Sequence, residues 1–214
     1  MNTISKIDYL QNPCRVSSIP YWKAKTISVP EGIRILHRDD FEGTNCEQSQ
    51  GEPFFRLLHD LRGIPAPKLP DGFSLQNAAP KEYAEHICQC YADIGVSEEE
   101  LQGYTQRPVY APTLWLAVRD SHTDQIVATG IGELDREIGE GILEWIQVSK
   151  EYRGRGLGRY VVSELLWRMK EQGANFATVS GQCHNPSNPE KLYRKCGFAG
   201  ADVWYILPRK EPGR

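Results

Sequence analysis

The stretch from Thr113 to Ser149 constrains the fold most. "TLWLAVRD" and "QIVATGIGELD" are joined by "SHTD", and "ILEWIQVS" comes after "REIGEG". Runs rich in β-branched and aromatic residues, bounded by short polar connectors, read as strands. A parallel return would need a crossover of a dozen or more residues, so strands joined this tightly run back and forth. An antiparallel meander of three strands is therefore expected, and the next element leaves from its last strand.

The chain after that strand reads "EYRGRGLGRY", residues 151–160, with three glycines and three arginines in ten positions. It leaves the strand at Val148, turns through Arg153-Gly154-Arg155-Gly156-Leu157-Gly158 and enters a helix. In that helix Leu157, Val161, Leu165 and Met169 fall on one stripe, and Gly173 stops it. Amide N–H groups at a helix start lack partners, and the helix dipole leaves positive potential there. Glycine lets such a backbone approach a phosphate closely, and Arg153, Arg155 and Arg159 add charge-assisted donors. The segment reads as a cradle for a pyrophosphate. A Walker loop does not fit, because no GK[ST] is present at its end. A dinucleotide loop does not fit either, because Gly154, Gly156 and Gly158 have the wrong spacing and the strands before them are antiparallel.

Around this centre the pattern is regular. "FSLQN" reads as a strand and "APKEYAEHICQCYADIG" as a helix. "SEEELQGY" reads as a second helix capped by Ser97, with Glu100 in capping-box spacing. After the long helix, "FATVSGQ" reads as a strand, "NPEKLYRKCG" as a short helix capped by Asn188, and "ADVWYILPR" as a last strand. The first 70 residues read differently. "KAKTISVP" and "EGIRILHRD" suggest a short hairpin turning at Pro30-Glu31-Gly32, and "PFFRLLHDL" a short helix with Pro53 in its first turn. The proline-rich "RGIPAPKLPDG" is the expected boundary. The organisation expected is an extension at 1–70, hairpin plus helix, packing on a domain at 71–214.

Net charge is −3, against a general nucleic-acid face, and no apolar run approaches the ~20 residues that span a bilayer. The N-terminal residues lack an apolar signal segment. Six scattered cysteines (Cys14, Cys46, Cys88, Cys90, Cys183, Cys196) are too sparse for a disulfide scaffold, and a reducing cytoplasm is expected. "HICQC" does not complete a ligand set, so no metal is expected.

"VSKEYRGRGLGRYVV" resembles the acetyl-CoA-binding signature of the GNAT superfamily of N-acetyltransferases, [QR]-x-x-G-x-[GA], with Arg153, Gly156 and Gly158 at its fixed positions. "KLYRKCGF" resembles the family's closing L-Y-x-x-x-G-F, and the order of elements matches over roughly residues 72–208. The resemblance implies an α/β (α+β) fold with a mixed, mainly antiparallel sheet flanked by helices. It implies acetyl-CoA as cosubstrate and direct attack of a primary amine on the thioester. The pantetheine arm would pair with backbone at Ile146 and Val148, and the pyrophosphate would sit on the amides from Arg153 to Arg159, including Gly154, Arg155, Gly156, Leu157 and Gly158. Tyr193 matches the acid that protonates the leaving thiolate. The family often carries an asparagine seven residues before that tyrosine. Here Pro186 stands there, flanked by Asn185 and Asn188, and either asparagine is a candidate cofactor contact.

The base is read from strand geometry. Strict alternation puts Ile142, Glu144, Ile146 and Val148 on one face, so Glu144 would share the side of the cofactor-pairing positions, unless a bulge intervenes. Glu133 on the neighbouring strand is the second candidate, and Asp135 lies beside it. These carboxylates suggest a cationic acceptor, a small-molecule or peptide amine, with no nucleic acid or membrane partner. The extension would shape the acceptor site or a homodimer contact. A non-catalytic acyl-CoA sensor or scaffold and a transferase of a longer acyl group are the alternative readings.

Overall fold

A computed structural model describes residues 4–41, 51–91 and 94–208, and Cys46 lies outside them. Three short helices, α1 (Lys6–Gln11), α2 (Pro13–Val16) and α3 (Tyr21–Thr26), precede β1 (Ile33–His37) and β2 (Glu52–His59). Next come β3 (Phe73–Gln76), α4 (Pro80–Cys90) and α5 (Glu98–Tyr104), then β4 (Tyr110–Asp120), β5 (Ile126–Asp135) and β6 (Glu140–Val148). The chain ends with α6 (Leu157–Glu171), β7 (Phe176–Gln182), α7 (Pro189–Lys195) and β8 (Ala199–Pro208). The architecture is mixed α/β, with an eight-stranded, mostly antiparallel sheet flanked by helices. The chain packs as two compact units, 1–59 with 178–214, and 60–177.

In the unit 60–177 the three-strand meander is as expected, β4 pairing with β5 and β5 with β6, both antiparallel, and β3 extends it by pairing antiparallel with β4. One face of it is covered by α4 and α5. Tyr83, Ala84, Ile87, Leu101 and Tyr104 pack there on Ala117 and Ile131. Ser97 caps α5 by accepting from the Glu100 amide at 3.1 Å. The other face is covered by α6, and three glycines let it sit close. A Cβ added at Gly130 would collide with Val161, one at Gly132 would fall 2.8 Å from Met169 Cε, and one at Gly141 2.5 Å from Met169 Sδ. Glycine here is set by the distance between layers rather than by backbone conformation. Filling that space overpacks the interface, so Gly141→Leu is expected to lower the unfolding free energy by about 1–3 kcal/mol. A urea midpoint unchanged from the parent would contradict this.

In the unit 1–59 with 178–214, the structure corrects the reading of the first residues. "KAKTISVP" is not a strand: residues 21–26 are α3, its end tied by the Thr26 hydroxyl donating to the Trp22 carbonyl at 2.8 Å. The expected hairpin therefore does not form. β1 is a strand as read, but its partner is β8, with Leu36 opposite Tyr205. "PFFRLLHDL" is not a helix. Residues 52–59 are β2, antiparallel to β8 with Phe54 opposite Trp204, and bulged near Leu57. Phe55, Arg56 and Leu57 are consecutive and all buried. A strand lying between two others buries both faces and shows a continuous apolar run, which over so few residues cannot be told from a buried helix. Pro53 suits the start of such a strand as well as the start of a helix. Arg56 donates to Tyr9 Oη at 2.8 Å and Ser180 Oγ at 3.1 Å, so a charged side chain sits inside this unit through hydroxyl contacts.

Candidate functional site

The site is built from the end of β6. Trp145 pairs with Ile131 but Leu143 pairs with Gly132, so Glu144 is an extra residue, a bulge. The bulge resets the alternation. Gly141 faces α6, because its added Cβ would meet Met169, so its neighbour Ile142 faces away from α6. Ile146 faces α6, its Cδ1 near Gly130 and Val161. Ile142 and Ile146 therefore lie on opposite faces, and the expectation that Ile142, Glu144, Ile146 and Val148 share one is wrong. Trp145 points to the α5 side, its Nε1–H donating to Tyr104 Oη at 3.4 Å, and Glu144 stands at the bulge, half-buried.

Both backbone carbonyls singled out on β6 accept from side chains. Ile146 O takes the Tyr91 hydroxyl at 3.5 Å and Val148 O takes Arg153 Nε–H at 3.2 Å. Tyr91 ends α4 and its ring meets that of Trp145 edge-on at 6.2 Å. In the sequence Tyr91 is one position of the expected helix, and its spacing carries no sign of this bond.

Beyond Val148 the chain makes a 3₁₀ turn over Lys150–Tyr152 and reaches α6 through two left-handed glycines, Gly154 at φ 79° and Gly156 at φ 85°. Gly156 is the residue before the first turn of α6, and no side chain caps that turn. Acidic residues favour the first turn of a helix because they offset its dipole. The first turn of α6 has none, and Arg159 stands in it. Arg153, Arg155 and Arg159 are exposed, with Arg155 stacked 4.7 Å over the Tyr152 ring. A Cβ added at Gly154 would meet nothing within 4 Å, and one at Gly156 only Pro70 Cγ at 3.7 Å. The helix start is open, uncompensated and ringed by guanidinium groups, which suits an anion. The α6 stripe, with Leu157, Val161, Leu165 and Met169 buried, aims that end.

Glu133 is 3% exposed and accepts from Arg107 Nη1 at 2.6 Å. Arg107 stacks 3.2 Å over the Tyr104 ring. Ion pairing with Glu133 holds its guanidinium more firmly protonated, against the pull of burial. Arg107 lies just past α5 and nothing in its spacing marked it as the partner. Asp135 Oδ1 accepts from the Glu137 amide at 2.9 Å and shapes the β5–β6 turn.

Tyr193, Asn185 and Asn188 belong to the other unit. Tyr193 lies on α7, is 7% exposed, and its ring is held by Phe55 at 6.1 Å and Phe198 at 5.8 Å. Asn188 caps α7, accepting from the Lys191 amide at 3.3 Å. Asn185 Oδ1 accepts from Ser187 N at 2.9 Å and Ser187 Oγ at 2.7 Å. The side-chain carbonyls of both asparagines thus serve the turn leading into α7.

Under β5, α4 contributes His86, 2% exposed. Its Nδ1 lies 2.9 Å from Thr129 Oγ1 and its Nε2 2.9 Å from Ser149 Oγ. Cys90 Sγ is 3.6 Å from Nε2, so the His86 and Cys90 of "HICQC" do meet. Among the described residues no group of three His, Cys, Asp or Glu is placed to hold a metal. Burial pushes the His86 pKa down to about 4, below its ordinary 6.5. An unfolded chain then binds a proton that the folded chain refuses between these values. Stability is full above about pH 6.5 and falls as pH drops toward 4, by an amount on the order of 3 kcal/mol. Urea midpoints at pH 7.5 and 5 should show the loss, and His86→Gln should flatten it.

Residues 111–199 match the acetyltransferase (GNAT) domain family. No curated protein matches the chain. A GCN5-related N-acetyltransferase from Sphaerobacter thermophilus is similar in fold: TM-score 0.63, 22% identity, covering 75% of this chain and 53% of its own. One from Kribbella flavida gives TM-score 0.52 at 17% identity over 86% of this chain and 61% of its own. The ribosomal-protein-S18-alanine N-acetyltransferase of Escherichia coli gives 0.50 at 20%, over 66% and 96%. The chain thus spans about half the length of the first of these. No helix among the described residues is long and apolar enough to cross a membrane.

Proposed function

The chain carries a GNAT acetyltransferase domain at residues 111–199, and from that premise we propose that it is an acetyl-CoA-dependent N-acetyltransferase acting on a primary amine. The observation that carries the reading is the uncapped start of α6 with its two left-handed glycines and exposed arginines. Acetyl-CoA, when bound, supplies an acetyl group activated as a thioester. The amides from Arg153 to Arg159 would hold its diphosphate. Ile146 and Val148 would pair with its amide-bearing arm, with Tyr91 and Arg153 giving up the carbonyls they now occupy.

The chain's own groups then move two protons. An amine is protonated at neutral pH and attacks only after losing one. Glu144, half-buried at the bulge, would take that proton, directly or through water. Glu133 is worse suited, because the Arg107 guanidinium at 2.6 Å favours its ionised form. Its charge is already balanced by that guanidinium, so it adds little to the attraction of a cationic acceptor. The Tyr193 hydroxyl would give a proton to the departing sulfur, which a phenol of ordinary pKa ~10 can do for a thiolate of ~8.5. Glu144→Gln should lower kcat about 10- to 100-fold at pH 7 and much less at pH 9, where the free amine is abundant. An equal loss at both pH values would remove Glu144 from the role.

The E. coli relative is named for transfer to an alanine of a ribosomal protein, so peptide N-termini belong in the acceptor panel beside diamines, polyamines and lysine. With acetyl-CoA and each amine, release of free thiol is expected for at least one class. Binding of coenzyme A with no thiol release on any amine would favour a sensor, and release only with longer acyl-CoA would move the reading to that donor.

A further inference from the structure

Ser149 stands before the 3₁₀ turn of Lys150–Tyr152, where a serine ordinarily turns its hydroxyl inward to cap. It does not cap this turn. Its hydroxyl lies 2.9 Å from His86 Nε2, on a helix 63 residues earlier in the chain. Its amide donates to the Val127 carbonyl at 2.9 Å. The Tyr152 amide returns to Ser149 O at 2.9 Å. Ser149 is therefore the root of the turn that carries Arg153 to Leu157, fixed on both sides.

The chain of bonds has a direction. Gln147 Nε2 donates to Thr129 Oγ1, so the Thr129 proton is directed to His86 Nδ1. Burial keeps the ring neutral, and a neutral imidazole with Nδ1 accepting has its proton on Nε2. Ser149 Oγ, at 2.9 Å, is the nearer acceptor for that proton, and Cys90 Sγ lies farther off at 3.6 Å. Thr129, Gln147 and Ser149 come from β5, β6 and the residue after β6, so the imidazole of α4 joins the sheet to the first residue of the loop. The ring lines a cavity of about 400 Å³ with Ser149, Glu82, Glu85, Gln89 and Tyr152, and this open space would let an untethered loop root shift.

We propose that His86 is a positioning residue for coenzyme binding: its Nε2–H holds Ser149, and through it sets the amides and arginines of 153–159. This rests on the diphosphate reading of that loop. A loop displaced by a fraction of an ångström loses several donors at once, so the effect falls on coenzyme affinity rather than on acceptor affinity.

Glutamine and asparagine separate the two ends of the ring. The amide nitrogen of Gln can stand where Nε2 is and still reach Ser149, whereas that of Asn stands where Nδ1 is and reaches only Thr129. Calorimetric titration with coenzyme A should show near-parent affinity for His86→Gln and about a 10-fold loss for His86→Asn, the size of one lost buried hydrogen bond. Ser149→Ala, at a half-exposed site that tolerates truncation, should lose about as much, and the Ser149→Ala/His86→Asn pair no more than either alone. KM for the acceptor amine should not move. Equal affinities for the Gln and Asn variants, or additive losses in the double variant, overturn the proposal; so does parent affinity in Ser149→Ala, which remains decisive if the His86 variants do not fold. If the parent chain itself fails to bind coenzyme A, the acetyltransferase reading falls and this inference with it. If the parent binds and the variants do not differ, only this inference falls.

Discussion

Tyr193→Phe is expected to lower kcat about 1,000-fold while leaving the dissociation constant for coenzyme A within about 3-fold of the parent, the signature of a lost general acid. The substitution is clean in this fold. The Tyr193 ring is buried between Phe55 and Phe198 and both contacts survive in a phenylalanine, so α7 should keep its place and only the hydroxyl is removed. Steady-state rates of thiol release, with coenzyme affinity by titration, check both halves. If kcat falls less than about 5-fold, the proton reaches the sulfur from elsewhere. If affinity falls with kcat, the hydroxyl is a binding group.

The second large effect is expected at Gly156. Its φ of 85° is left-handed, where a side chain is strained by about 1–2 kcal/mol, and its neighbourhood is open apart from Pro70. Asparagine tolerates that conformation, and aspartate differs from it by one charge. A carboxylate about 4–5 Å from a diphosphate in a surface dielectric near 20 costs roughly 3–4 kcal/mol. Gly156→Asn should therefore weaken coenzyme A binding about 10-fold and Gly156→Asp by more than about 100-fold beyond that. The difference should shrink in ~1 M salt, where charges are screened within ~3 Å. Equal losses for the two variants would leave strain as the only effect and remove the anion from this helix start.

The meander and the glycine segment were legible because each depends on near neighbours. Alternating β-branched runs with short connectors leave few topologies, and a glycine-rich turn before an apolar stripe of period 3.6 specifies a helix start whatever surrounds it. Ser97 and Asn188 were legible as caps for the same reason: a cap acts within three residues. The first 59 residues were legible only at β1. Pro53 to Leu61 carries one apolar pattern that serves a short helix or a central strand, and the choice was made by β8, which lies far along the chain and pairs with both β1 and β2.

Within the site the same division holds. That Arg153, Gly154, Arg155 and Gly156 lead into a helix start could be read from their order alone, because backbone geometry and charge there are local. The facing of Glu144 could not, since one extra residue in β6 is invisible in the string and reverses every position after it. Neither could the Glu133–Arg107 pair, the Tyr91 bond to Ile146, nor the tie between His86 and Ser149. These join residues 26 to 63 positions apart. A side chain's composition states what it can donate or accept; which partner it meets is decided by how helices lie on the sheet, and that depends on packing of the whole interior at once.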